Sequence, residues 1–170
     1  MASPIKLAHI ALKTHDIETS SEWYRTVLNA EVVFENDLLC FLTYDDEHHR
    51  VVLAHDPTYE PGGPSAGLHH VSFTYEDLDA LFDTFERLQT LGIEPHLCIN
   101  HGPTLSMYYM DPMANQVELQ IDNMSPAQAI EFARSETFRA NPIGIEFDPN
   151  NLNERRKAGE TVTSLTAYAP

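Results

Sequence analysis

A pattern that returns after 61 residues constrains this chain more than any other feature. Over residues 5–13, Leu7, His9 and Ala11 fall on one face and Ala8, Ile10 and Leu12 on the other, the period of a strand. Asp16 is an N-cap residue type. The helix it opens is expected to run to about Leu28, with Ile17, Trp23, Tyr24, Val27 and Leu28 as its buried stripe. Asn29 ends it, and strands are expected at 30–34, 38–44 and 50–55. A Pro- and Gly-rich stretch over 56–67 reads as an extended linker. Then the order repeats. Residues 68–75 form a strand with Leu68, His70, Ser72 and Thr74 on one face. Asp77 caps a helix carrying Leu78, Leu81, Phe82, Phe85, Leu88 and Leu91, and Gly92 closes it. Strands follow at 93–99, 104–110 and 115–121. His9 and His70 stand 61 residues apart, as do the caps Asp16 and Asp77.

A unit of strand, helix and three strands, used twice, predicts an α+β fold in which two βαβββ modules build a cupped mixed sheet. The modules span about 5–56 and 67–122, so residues 1–122 form the paired domain. Residues 123–170 lie beyond the repeat. Ser125-Pro126 opens a helix expected to reach about Arg139, residues 141–149 form an extended connector, and residues 153–158 a short charged helix. This C-terminal helical extension is expected to pack on the domain or on a dimer partner. Otherwise Phe132, Phe138, Ile143, Ile145 and Phe147 would be left exposed.

Composition narrows the partners. Ten Lys and Arg stand against 26 Asp and Glu, a formal net charge of −16, which disfavours nucleic acid and anionic membranes. Hydrophobic residues at 42% suffice for a core. Cys40 and Cys98 both fall in expected strands and read as buried thiols, not a disulfide framework. The N-terminus, Met-Ala-Ser-Pro-Ile-Lys, has no signal-peptide core, so the cytoplasm is the expected location.

The polar face of the last repeat strand carries Gln116, Glu118 and Gln120, opposite Val117, Leu119 and Ile121. One reading is a half-exposed hairpin with a solvated Glu118 and two core histidines bonded to backbone. The other gathers His9, His70 and Glu118, from three strands, around a divalent first-row metal with open coordination positions. The small neighbours Ala11 and Ser72 leave room for it. His69 adjoins His70, but strand parity puts it with Val71 and Phe73, toward the helix, so His70 is the expected ligand.

The segments His9-Ile-Ala-Leu, Gly67-Leu-His-His-Val-Ser-Phe and Tyr108-Tyr-Met-Asp-Pro-Met-Ala-Asn-Gln-Val-Glu118 resemble those of the vicinal-oxygen-chelate superfamily. Within it, the chain most resembles small, single-pair type I extradiol ring-cleavage dioxygenases. That resemblance implies Fe(II), with Mn(II) as a substitute, held by His9, His70 and Glu118. It implies a catechol-type aromatic diol and O2 as substrates, and a homodimer or higher homo-oligomer. It also implies catalytic roles for three further residues. Tyr108 occupies the place of a family Tyr ten residues before the Glu ligand. His55 matches an acid/base histidine about fifteen residues before the second ligand. His101-Gly102 resembles a His-Gly pair preceding the Tyr, with a loop about two residues shorter.

Two positions depart from the pattern. Ala114 replaces the usual Gly of the Asp-Pro-x-Gly-Asn turn, at a cost of about 1–2 kcal/mol if that position needs positive φ. Val52 occupies the place matching Glu118, where glyoxalase I-like members commonly carry a fourth ligand. Two other readings remain: a non-redox metalloenzyme of the same superfamily, fosfomycin-resistance-like or glyoxalase-like, and a metal-free module binding an aromatic compound.

Overall fold

The computed structural model describes residues 6–60 and 68–169, so Ile5 of the expected first strand and the 61–67 part of the expected linker lie outside the described residues. The chain divides into two compact units. One holds residues up to Gly67 together with the turn Asp111–Asn115, and the other holds Leu68–Met110 and Gln116–Pro170.

The first unit contains β1 (Ile10–Thr14), α1 (Ile17–Leu28), β2 (Glu31–Glu35), β3 (Leu39–Thr43) and β4 (Val51–His55). Its sheet has the order β1-β4-β3-β2, with β1 parallel to β4 and the other pairs antiparallel. Asp16 caps α1 by accepting from Thr19 N at 3.0 Å, and Asn29 ends the helix in the left-handed region at φ 51. The helix buries Tyr24, Val27 and Leu28, and the sheet buries Leu12, Cys40, Leu42 and Leu53. Each such Leu or Val contributes about 1.5–3 kcal/mol. Ile17 and Trp23, expected in the stripe, are only half-buried. The small Ser20 and Ser21 are buried instead, and bond to Thr14 and Cys40 of the sheet.

Strand β1 is shorter than its alternation suggests. The carbonyls of Leu7 and Ala8 accept from the Arg50 guanidinium at 2.9 and 3.0 Å, so the ladder to β4 starts only at Ile10 opposite Val51. His9 therefore stands just ahead of the strand, not near its middle.

The second unit contains β5 (His70–Thr74), α2 (Leu78–Thr90), β6 (Leu97–Asn100), β7 (Thr104–Met110) and β8 (Gln116–Asp122). Its sheet repeats the first order and adds one strand: β5-β8-β7-β6-β9, where β9 is Ile145–Glu146. The equivalence of the halves is visible in register, because Ala11 pairs with Val52 as Ser72 pairs with Glu118. Asp77 caps α2, which buries Leu78, Leu81, Phe82, Phe85 and Leu88. Leu91 does not join this stripe. It is 59% exposed because the helix ends at Thr90 and Gly92 (φ 73) turns the chain away.

Residues beyond the repeat form α3 (Pro126–Ala133), α4 (Glu136–Ala140), β9, α5 (Pro149–Lys157) and α6 (Val162–Leu165), all within the second unit. The single helix expected over 126–139 is two. Ser135 breaks it, donating to Phe132 O at 2.7 Å and capping α4 through Phe138 N. The expected 153–158 helix begins earlier, at Pro149 behind the cap Asp148. Arg156 ties α5 to α2 through Asp79 (2.7 Å) and Asp83 (3.3 Å), and Leu152 and Leu165 are buried. Cys40 and Cys98 are both free and buried, as expected. No helix among the described residues is long and apolar enough to cross a membrane.

Candidate active site

The ladder of the second sheet sets one face in register. Glu118 on β8 lies opposite Tyr108 on β7 and Ser72 on β5, so strand parity brings His70 to the same face. Glu118 is 4% exposed and Tyr108 is 6% exposed. A carboxylate buried this deeply needs partners, and Glu118 has one on each oxygen. His70 Nε2 is 3.1 Å from Oε2, and the Tyr108 hydroxyl donates to Oε1 at 3.0 Å. His101, just after β6, places Nε2 2.8 Å from the Tyr108 oxygen and Nδ1 2.5 Å from the Ile143 carbonyl. The result is one continuous polar chain: His70, Glu118, Tyr108, His101. The solvated-hairpin reading of Glu118 does not survive this burial.

Burial, followed by the charge of Glu118, drives the Tyr108 phenol well above its ordinary range, so it stays a hydroxyl. His69 Nδ1 is 2.8 Å from His70 Nδ1. His69 does not turn toward the helix; it precedes β5 and is exposed. If His70 Nδ1 carries the proton and donates to His69, Nε2 is left bare and able to bind a metal.

The donor chemistry suits a divalent cation. The 3.1 Å between His70 Nε2 and Glu118 Oε2 matches the edge of an octahedron whose bonds are about 2.1 Å. Among the described residues no three His, Cys, Asp or Glu side chains are gathered in metal-holding geometry, so the second sheet offers a pair of donors. His9 belongs to the first unit, where it is exposed and its ring centroid lies 4.5 Å from that of His49. Val52, paired with Ala11, occupies the Glu118 place of the first sheet and brings no donor atom.

His55 ends β4 on the face of Val51 and Leu53, which packs on α1. Its Nδ1 is 2.8 Å from Asp37 O and its Nε2 3.1 Å from His15 O. A neutral imidazole has one N–H and can satisfy only one of these carbonyls at a time.

The sequence reading missed Ile143 and Gly144. The alternation Ile143, Ile145, Phe147 in the extended connector was a strand signal, and Gly144 within it a sign of close backbone approach.

Two units with one strand order, one of them carrying a buried carboxylate framed by His and Tyr, define a paired βαβββ protein. Comparison with known proteins agrees. A family model described as the Glyoxalase/Bleomycin resistance protein/Dioxygenase superfamily matches residues 6–119. The chain is 45% identical over 172 residues to Biphenyl-2,3-diol 1,2-dioxygenase 2 of Rhodococcus globerulus, covering 99% of this chain and 90% of that protein. It is 42% identical to Biphenyl-2,3-diol 1,2-dioxygenase 3 of the same organism, covering 96% and 88%. Among solved structures, a lactoylglutathione lyase from Agrobacterium tumefaciens aligns with TM-score 0.58 at 20% identity, over 71% of this chain and 96% of that one. A glyoxylase/bleomycin resistance protein/dioxygenase domain from Frankia sp. aligns with TM-score 0.60 at 20% identity, over 71% and 100%. These structures speak to the fold alone. The chain belongs to the glyoxalase/bleomycin resistance protein/dioxygenase superfamily.

Proposed function

We propose that this protein is a metal-dependent extradiol dioxygenase that cleaves the ring of a catechol-type aromatic diol with O2. The observation that carries the reading is the unbroken chain His70–Glu118–Tyr108–His101 on one sheet face. It occurs in a protein 45% identical to a biphenyl-2,3-diol 1,2-dioxygenase over nearly its whole length.

His9, His70 and Glu118 are the proposed ligands and Fe(II) the proposed metal, with Mn(II) as a substitute because this donor set does not select between them. Fe(II) held there would supply the redox chemistry that lets O2 react with the diol. The protein's side chains orient substrate and move protons. Glu118 keeps Oε2 toward His70 while Tyr108 holds Oε1. His101, when Nδ1 donates to Ile143, has a bare Nε2 2.8 Å from the Tyr108 oxygen, and takes the phenol proton only when that proton turns from Glu118 Oε1. A diol hydroxyl within reach of Tyr108 therefore has a route for its proton. His55 is assigned the acid/base step of ring opening on the resemblance alone, since β4 carries it on the α1 face, opposite Val52, with its ring between two carbonyls.

Assembly as a homodimer or higher homo-oligomer belongs to the same proposal. The apolar Val33 and Phe34 of edge strand β2 are 53% and 45% exposed, an edge that soluble proteins usually cover.

The test is anaerobic loading with Fe(II) or Mn(II), addition of a panel of catechols including biphenyl-2,3-diol, and admission of O2. Oxygen uptake with a yellow ring-fission product is expected. No uptake with any diol, beside turnover of epoxide or thioester substrates, would replace this reading with a non-redox one.

A further inference from the structure

We infer that residues 141–146 of the C-terminal extension are a positioning device for His101, whose ring the Ile143 carbonyl holds in the Nδ1–H tautomer. A carbonyl oxygen only accepts, so a 2.5 Å contact to Nδ1 requires the proton there. A neutral imidazole has no second N–H. Nε2 is then bare and lies 2.8 Å from the Tyr108 oxygen, where it competes with Glu118 Oε1 for the single phenol proton. With the proton on Nε2 instead, His101 would donate to Tyr108 and accept nothing from it.

Several features place that carbonyl, and all lie in the second unit. Strand β9 extends the β6 edge, pairing Ile145 with Asn100 and Glu146 with Ile99. Gly144 has φ +108, and a Cβ there would lie 2.4 Å from Asn100 O and 2.9 Å from His101 Cα. Only glycine permits this approach. The Asn141 side chain brackets Gly144, donating from Nδ2 to its carbonyl at 2.6 Å and accepting its N–H at 3.1 Å. On the other side of His101, the Phe132 ring lies where a Gly102 Cβ would meet it at 2.6 Å. Asn141 and Gly144 are thus positioning residues, and Ile143 acts through its backbone.

The catalytic consequence rests on the dioxygenase reading, but the tautomer does not. In the metal-free, 15N-labelled full chain at alkaline pH, long-range 15N–1H spectra are expected to show His101 protonated at Nδ1 and not at Nε2. Asn141→Ala should give a tautomer mixture. In the Fe(II)-loaded enzyme it should lower kcat about 10- to 100-fold with little change in KM. Arg156→Ala, which loosens α5 from α2, should lower the melting temperature while leaving tautomer and kcat alone. A wild-type Nε2–H tautomer would overturn the proposal. So would an Asn141→Ala protein with unchanged spectrum and kcat, or an Arg156→Ala protein that reproduces both effects. Absent oxygen uptake in the wild type would instead sink the dioxygenase reading, and the spectra alone would then decide the positioning.

Discussion

The Tyr108 hydroxyl donates to Glu118 Oε1 at 3.0 Å, and the two residues are direct partners across the β7–β8 ladder. Pairing in register makes the contact insensitive to loops, because it is set by the backbone hydrogen bonds of two seven-residue strands. It lets a carboxylate stay buried with one oxygen satisfied and the other turned to His70. Rigid strands suit a site that must hold its geometry through a reaction.

Removing that hydroxyl isolates its role. Tyr108→Phe keeps the ring packing and breaks both the Glu118 and His101 contacts. Stability should change by about 1–2 kcal/mol, while kcat on a catechol should fall by about 100-fold. Steady-state oxygen uptake with metal saturated measures it, and unchanged turnover would remove Tyr108 from the proton route.

Asp111 anchors the turn before β8. Its buried carboxylate accepts from Met113 N (2.9 Å), Asn115 N (2.7 Å), Asn115 Nδ2 (2.9 Å) and the Tyr24 hydroxyl (3.0 Å). Burial first, then the Asp111 charge, drives the Tyr24 phenol far above its ordinary range, so the hydroxyl stays a donor. Asp111→Ala strands several donors at once and should cost about 3 kcal/mol or more, whereas Tyr24→Phe should cost about 1–2 kcal/mol. Urea melts of the two variants compare them; equal losses would contradict the bonding described.

Ala114 sits at φ 61, the left-handed region that glycine adopts freely. Alanine costs about 1–2 kcal/mol there, and glycine returns about 0.4–1 kcal/mol of that through unfolded-chain entropy. Ala114→Gly should therefore stabilise by about 0.5–1 kcal/mol. The side chain is exposed, so no packing is lost and turnover should hold. A lower denaturation midpoint would mean the turn does not need this conformation.

Two buried thiols predict an alkaline limit. Burial pushes Cys40 up to about 11 and Cys98 up to about 12, from an ordinary 9.0. Below that ordinary value both folded and unfolded chains keep these protons, and the stability they contribute is complete. As pH rises above it, the unfolded chain ionises first, and the contribution drains away toward the folded values. Urea midpoints should decline from about pH 9 upward. A Cys40→Ala, Cys98→Ala double variant should decline less steeply; an identical slope would assign the loss to other groups.

Much of this was legible in the residues. Asp16 and Asp77 announced their helices because capping is a local bond between a side chain and an N–H three residues on. Alternation placed Glu118 and Tyr108 on the polar face of their strands because side chains invert at every residue. Leu91's burial and His9's place within β1 were misjudged for one reason: periodicity says which way a side chain points but not where pairing stops. The 126–139 helix was read as continuous because the Ser135 break is a bond from a single hydroxyl, with no effect on composition.

The amino-acid order by itself determined the two repeats, their caps, and the parity that groups His70 with Ser72 and Glu118 with Gln116 and Gln120. Those are short-range consequences of backbone geometry. Only the tertiary structure decided that Tyr108 stands opposite Glu118, that a two-residue strand closes the β6 edge, and that the Ile143 carbonyl meets His101. Such relations join residues far apart in the chain. They depend on register and on close backbone approach, for which a linear pattern carries no period.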